Sequence, residues 1–419
     1  MKKQFLLLTM LASLASCGVP STSDTPSTED TGTTGTEKTT TTTAESTTDK
    51  NEITLTDLIG REVKLVPGKA KRIVCIGGGA LRLYSYVGDL SLLSGVERVD
   101  VEGPNADKFG FVNNALAIRP YKIVHHEVWD NLPSCGMGGP KAQTVDMEAI
   151  LNCDPDLIIS LYSNDKAGMD NLSATLDVPV LTLSYGNNEA FDENIKKSLE
   201  LLGKALNKEE RAAELVTYIQ DIETDLATRA NGIAHEDKPS LYLGCQANYG
   251  LKSFESSTAG YNVFKAAGAR NYLDDLGLKG YQKSVDLSKL VETSPDKIIL
   301  DAGGLGLFKA DYKIPEKKEI FNSIDAIKNQ EVYIQMPYNS YYTNLEIAYA
   351  DAYYAGMVSF PERYKDFNLK DKANEITKKF LGVDFYDNDK LDNDISDQML
   401  GGYQKINMPL EDFLNEKVK

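Results

Sequence analysis

Gly77, Gly78 and Gly79, with Arg82 one helical turn further on in "IGGGALRLY", are the residues of this sequence best suited to hold an anion. Glycines between a strand and a helix let backbone N–H groups face a ligand, and the helix dipole favours negative charge there. An arginine one turn in can pair through two parallel hydrogen bonds with a carboxylate, a catecholate or an oxyanion; a surface arginine, or one that only braces its own lobe, is the alternative. No Gly-Lys-Ser/Thr follows the turn and the third glycine of a dinucleotide fingerprint is missing, so neither a P-loop nor a dinucleotide site is indicated. A second group of candidates is aromatic. Tyr249, Lys252 and Tyr261 lie in "NYGLKSFESSTAGYNVF", and Tyr338, Tyr341 and Tyr342 in "MPYNSYYTN", a loop before a helix that Thr343 and Glu346 are spaced to cap. A phenol combines a flat apolar face with a hydrogen bond at low entropic cost. Asp301 and Gly303 stand at the end of "KIILDAGG", and Lys141, in the Gly/Pro loop "LPSCGMGGPKAQ", adds a positive charge to the rim. Metal chemistry has little to work with, because His125 and His126 are neighbours that point apart and His235 is the only other histidine. No metal site and no cofactor is expected.

These side chains need strands and helices to bring them together. The glycine turn follows a strand, "KRIVCI", and opens a helix near Gly79; "KPSLYLGC" leads a strand into a loop at the matching place in the second half. One passage is written twice: "VDMEAILNCDPDLIIS" (Val145–Ser160) and "VDLSKLVETSPDKIIL" (Val285–Leu300) align without a gap. Each reads as a helix, with Met147, Ile150 and Leu151 or Leu287, Leu290 and Val291 at helical spacing, then a proline and a short buried strand. "PVLTLS" and "EVYIQM" are further strands among helical segments, which favours parallel sheets flanked by helices. Between the halves, Leu215, Tyr218, Ile219, Ile222 and Leu226 form an apolar stripe that ends at Asn231-Gly232. From Lys208 to Ala230 this predicts about 23 residues, or ~35 Å, of helix, with two helices meeting at a kink as the alternative. The expected fold is α/β: two Rossmann-like lobes with parallel sheets, joined by one long helix, with ligand held beyond the carboxyl ends of the strands.

The passage "ITLTDLIGREVKLVPGKAKRIVCIGGGALRLYSYVGDLSLLSGVE" resembles the opening of the iron-complex class of ABC-transporter substrate-binding proteins, through its "D-x-x-G-R-x-V" strand pair, its "K-R-I-V" strand and a helix closing on "G-D-L". "EAILNCDPDLII", "LLGKALNKEERAAELV" and "GVDFYD" extend the resemblance to about Asp387. It implies the type III periplasmic-binding-protein fold, ABC permease and ATPase subunits as partners, and a small-molecule metal chelate as ligand: a ferric siderophore, haem or a corrinoid, with molybdate or tungstate as the oxyanion alternative. It also implies a docking carboxylate on each lobe. By its motif the first falls on Glu148. In the second copy the same place is Ser288, so Asp286 or Glu292 serves instead, or docking is asymmetric; Glu292 is one turn away on the same face.

The first residues, "MKKQFLLLTMLASLASC", combine two lysines with an apolar run too short for a membrane span, which needs ~20 apolar residues. Leu14-Ala15-Ser16-Cys17 resembles the bacterial lipobox, which implies lipidation at Cys17. The expected organisation is a signal peptide over 1–17, a Thr/Ser-rich tether over 18–51, lobes over 52–207 and 232–387 around a linking helix at 208–231, and a C-terminal tail over 388–419. Sixty-two acidic against 45 basic residues give a net charge of −17, which argues against nucleic acid as a partner. Cys75 and Cys245 sit in apolar strand-like runs and read as inert buried thiols. The leading expectation is a monomeric receptor, lipid-anchored to the cell membrane on its extracytoplasmic side and without catalysis. A surface enzyme using the same cleft is the first rival, although G-x-S-x-G and H-E-x-x-H signatures are absent. A sensory lipoprotein is the second.

Overall fold

The computed structural model describes residues 50–101, 111–112, 115–116, 119–138, 145–187, 190–248, 250–387 and 403–416, which belong to one compact unit, Asp49–Lys419. The signal segment with Cys17, the tether up to residue 49, Lys141 and Tyr249 lie outside the described residues.

Strands β1 (Ile53–Thr56) and β2 (Glu62–Leu65) form an antiparallel hairpin. The Asp57-x-x-Gly60-Arg61 turn explains its motif: Asp57 Oδ1 accepts from Arg61 N at 2.8 Å, and Arg61 Nη1 reaches Val180 O at 3.1 Å, which fastens the hairpin to the first sheet. That sheet contains β3 (Ile73–Ile76), β4 (Leu93–Val96), β5 (Leu157–Ser160) and β6 (Val180–Thr182) in the order β4-β3-β5-β6, all parallel. The second sheet contains β7 (Ser240–Gly244), β8 (Arg270–Asn271), β9 (Lys297–Asp301), β10 (Val332–Gln335) and β11 (Gln404–Lys405) in the order β8-β7-β9-β10-β11. Its first four strands repeat the order of the first sheet, and β11 is added antiparallel to β10. Every residue of β3 and β5 is buried. Ile73, Cys75, Leu157 and Ile159 face the larger core, while Val74, Ile76 and Ile158 face a smaller cluster with Ile150 and Met169 on the other side. Burial on both faces is why these strands read as unbroken apolar runs.

The helices that matter for the site are α1 (Ala80–Val87), α2 (Met147–Asn152), α3 (Glu209–Ala230), α4 (Leu287–Glu292), α5 (Leu345–Ser359) and α6 (Leu410–Glu416). The repeated passage is α2–β5 in one lobe and α4–β9 in the other. Most of its shared residues have matching tasks. Asp146 and Asp286 cap their helices by accepting from Ala149 N at 3.0 Å and Ser288 N at 2.9 Å. Ile150 and Leu290 are each fully buried. Asp156 accepts from Lys71 N and Arg72 N, and Asp296 from Ser240 N at 2.7 Å, so each ties its unit to the chain entering the lobe's first strand.

Helix α3 is one unbroken element of 22 residues, so a single rod replaces the kinked alternative. It buries Ala212, Leu215, Val216, Ile219, Ile222 and Leu226, while Tyr218 is half-buried and donates to Glu375 Oε1 at 2.8 Å. The segment read as a C-terminal tail returns over residues 403–416 to pack on the second lobe, burying Tyr403, Ile406, Phe413 and Leu414. Among the described residues, no helix is long and apolar enough to cross a membrane. Cys75, Cys135, Cys153 and Cys245 are free and buried.

Candidate functional site

The carboxyl ends of the first sheet supply one wall. After β3, Gly77 and Gly79 adopt φ of 84° and 86°, a backbone that L side chains rarely take, and Gly79 precedes α1. The first donor of the turn is not open to an anion: Gly77 N donates to the buried carboxyl of Glu97, just past β4, at 2.9 Å. Burial pushes the Glu97 carboxyl up to about 8, with the Gly77 N–H opposing it, so near neutrality it is largely protonated. Gly138, in the Gly/Pro loop, packs against the same side chain; a Cβ there would fall 2.2 Å from Glu97 Oε2. Tyr162 and Tyr185 stand two and three residues past β5 and β6.

The second sheet supplies the other wall. Asp301, the last residue of β9, is buried and accepts from Gly303 N at 2.8 Å; burial pushes its carboxyl up to about 7. Tyr261 and Tyr338 stack at 6.1 Å, and Gln335 Nε2 donates to Tyr261 Oη at 3.1 Å. Beyond β10 the loop carries Tyr341 and Tyr342 with φ of 49° and 66°, the left-handed region that bulky residues enter only when held there.

The walls meet at Arg82. Its side chain is fully buried, with Nη2 donating to Ser340 O at 2.7 Å and Nη1 to Tyr341 O at 2.9 Å and Thr343 O at 3.2 Å. The guanidinium also lies 4.8 Å from the Tyr121 ring. Burial disfavours its charge, but the phenols of Tyr185, Tyr121 and Tyr86 and the carboxyl of Glu346 outweigh this, so its pKa is raised. Tyr185 stacks on Tyr342 at 5.2 Å and donates to Gly79 O at 3.2 Å. Tyr86 donates to Glu346, and Arg119 lies 5.1 Å from the Tyr341 ring.

The expected residues therefore fall into groups. Gly79, Arg82, Tyr341 and Tyr342 come together at the lobe contact, while Gly77 packs on Leu161 within the first lobe and Gly78 is buried between the two glycines. Tyr261, Tyr338 and Asp301 line the second wall. Two expectations change. Arg82, expected to offer paired donors to a ligand, gives them to backbone carbonyls of the opposite lobe. Thr343 and Glu346 form no capping box, since Asn344 is the N-cap, its Nδ2 donating to Tyr338 O at 2.9 Å rather than its side chain capping the helix, and the Glu346 side chain accepts from Tyr86 instead. Tyr349, Tyr353 and Tyr354 are buried packing residues, as their place inside the helix implied. Glu148 and Glu292 are exposed on α2 and α4. Glu97, Tyr121, Tyr162 and Tyr185 were not singled out in the sequence. Looking two or three residues past each apolar strand would have found Tyr162 and Tyr185.

Burial pushes the thiols of Cys75, Cys135 and Cys245 well up, so none is a thiolate nucleophile at neutral pH. Among the described residues, no group of three or more His, Cys, Asp or Glu is placed to hold a metal ion. Two hollows of about 310 and 480 Å³, both lined by Tyr312 and Glu411, lie on the second lobe near α6, the first at the amino end of β10, on the other side from the carboxyl ends of the parallel strands.

Two sheets whose parallel strands follow the same order, a long connecting helix and phenol-rich strand ends that meet define a two-lobed α/β binding protein. Residues 122–337, just over half of the chain, match the periplasmic binding protein family, and the chain belongs to it. It is 24% identical over 189 residues to YvrC of Bacillus subtilis, an uncharacterized ABC transporter substrate-binding lipoprotein; the match covers 45% of this chain and only 57% of that relative. It is 21% identical over 264 residues to the molybdate-binding protein MolA of Haemophilus influenzae, covering 58% of this chain and 71% of that one. The crystal structure of a periplasmic solute binding protein from Veillonella parvula superposes with a TM-score of 0.57 at 18% identity, covering 80% of this chain and 94% of that one. The fold is thus that of the type III class.

Proposed function

We propose that this protein is the extracytoplasmic solute-binding component of an ABC importer, which captures an iron chelate or a related metal complex between its lobes and delivers it to the permease. The observation that carries the reading is the convergence of Tyr185, Tyr341 and Tyr342 with Arg82 where the strands of both sheets end. Beside this contact Tyr341 stays exposed and Tyr342 half-buried, and such phenol faces suit a ligand that is larger than a simple ion and bears aromatic or oxygen-rich groups. The names of the relatives, a substrate-binding lipoprotein and a molybdate-binding protein, support a receptor without catalysis. The lipobox-like Leu14–Cys17 supports a lipid anchor facing outward.

A molybdate or tungstate receptor is the second reading, favoured by the similarity to MolA. Glu97 on the Gly77 N–H weighs against it, because a carboxyl already occupies the donor that an oxyanion would take. Thermal unfolding of the purified protein with ferric siderophores, haem, cobalamin, molybdate and tungstate separates the two. A ligand at 100 times its Kd adds about 2.7 kcal/mol. The expected outcome is stabilisation by a ferric chelate and none by the oxyanions; stabilisation by molybdate alone would replace the first reading with the second.

A further inference from the structure

Two arginines of the first lobe reach the lobe contact, and they are used differently. Arg82 is fully buried, and its Nη donors go to the backbone carbonyls of Ser340, Tyr341 and Thr343. Those donors are spent on holding the lobes together. Arg119, just before the helix Pro120–Trp129, is only half-buried. Its Nη1 donates to Val99 O, and its guanidinium lies over the ring of Tyr341, which belongs to the other lobe and is 38% exposed. Among the described residues, Nε and Nη2 of Arg119 have no hydrogen-bond partner and no carboxylate forms an ion pair with it. Asp100, a buried acid within its field, accepts from Tyr121 instead.

This guanidinium is prepared for a ligand in two ways. A ring against its flat face and one carbonyl at its edge fix its plane, so the remaining edge donors keep the fork geometry that matches a carboxylate or a catecholate. A half-desolvated charge without a counter-ion is also costly, and an anion relieves that cost on binding. The wider field sharpens the effect. A chain with a net charge of −17 repels anions except near a cation that its own acids leave uncompensated.

We propose that Arg119, oriented by Tyr341, is the residue through which the cleft selects ligand charge, and that the solute carries an anionic oxygen group, a catecholate or a carboxylate, rather than being a neutral complex. This rests on the importer reading above and adds the charge which that reading leaves open. Arg82 then keeps the lobes in register, and Arg119 reads the solute.

The test follows quenching of Trp129, the single tryptophan, as the purified full chain is titrated with two sets of probes. The anionic set is a ferric tris-catecholate, ferric citrate and haem; the neutral set is a ferric trihydroxamate and cobalamin. Wild type is expected to bind a member of the anionic set, and Arg119→Gln to weaken it roughly ten- to a hundredfold, as for loss of a charged hydrogen-bonded pair. Arg119→Lys, which keeps the charge and loses the fork, should recover part of that loss. Raising salt to about 0.5 M should weaken the anionic probe more in wild type than in Arg119→Gln. Full affinity for it in Arg119→Gln overturns the inference and leaves the importer reading standing, as does a wild type that binds only neutral probes. A wild type that binds neither set overturns both.

Discussion

The two copies of the helix–strand unit agree where a residue holds its lobe together and diverge where it faces out. Asp156 and Asp296 each bind the backbone entering the first strand of their lobe, whereas Glu148 and Ser288, or Asn152 and Glu292, have little in common. A repeat that keeps its scaffold while its outward residues diverge makes two lobes that are alike in build and unlike in surface. The site follows the same rule. The first lobe contributes a buried cation, Arg82, and the second contributes backbone carbonyls held by two left-handed tyrosines.

Breaking that unequal contact should have the largest effect. Arg82→Ala removes a buried cation and strands three carbonyl oxygens, so urea unfolding should show a loss of about 3–5 kcal/mol. Unchanged stability with weaker ligand binding would mean that the 340–343 carbonyls do not hold Arg82 in solution. A somewhat smaller effect separates the walls by pH. Glu97 and Asp301 have folded pKa values of about 8 and about 7, above their ordinary 4.5 and 3.8, so the folded state holds the extra protons. That contribution is complete below the ordinary values and is lost as pH rises through the folded ones. Stability should therefore fall by a few kcal/mol between about pH 4 and about pH 8. Glu97→Gln should remove the part of the slope that extends to about pH 8, and Asp301→Asn the part that ends near 7. A flat wild-type profile would remove both assignments.

The scaffold half of the comparison predicts equality. Asp156→Ala and Asp296→Ala should each cost about 1–3 kcal/mol, measured by denaturant titration, with similar losses in both; a large difference would mean that the units are not equivalent. The smallest effect on stability belongs to Glu148→Ala, which should leave melting and ligand affinity unchanged while uptake by cells falls. Equal loss of affinity and uptake would make Glu148 a folding or cleft residue.

The gapless passage at Val145 and Val285 was enough to anticipate two like sheets, because capping aspartates, a proline stop and an apolar strand are local signals. The stripe from Leu215 to Leu226 likewise announced α3. What lay hidden depends on the other lobe. Nothing near Arg82 in the chain signals that carbonyls at 340, 341 and 343 will surround it, and Glu346, spaced for a capping box, is drawn to Tyr86 instead. Glu97 follows a four-residue strand, "LSGV", and β11 is only two residues long; neither is long enough for a period to show.

Strand β11 also sets a schedule for folding. In the first lobe, the last strand to be synthesised, β6, finds the β1–β2 hairpin already made, and Leu58 N donates to Thr182 O. In the second lobe β10 must wait about seventy residues for Gln404 and Lys405. Until they arrive its outer row of N–H and C=O groups is unpaired, a template for any extended strand nearby.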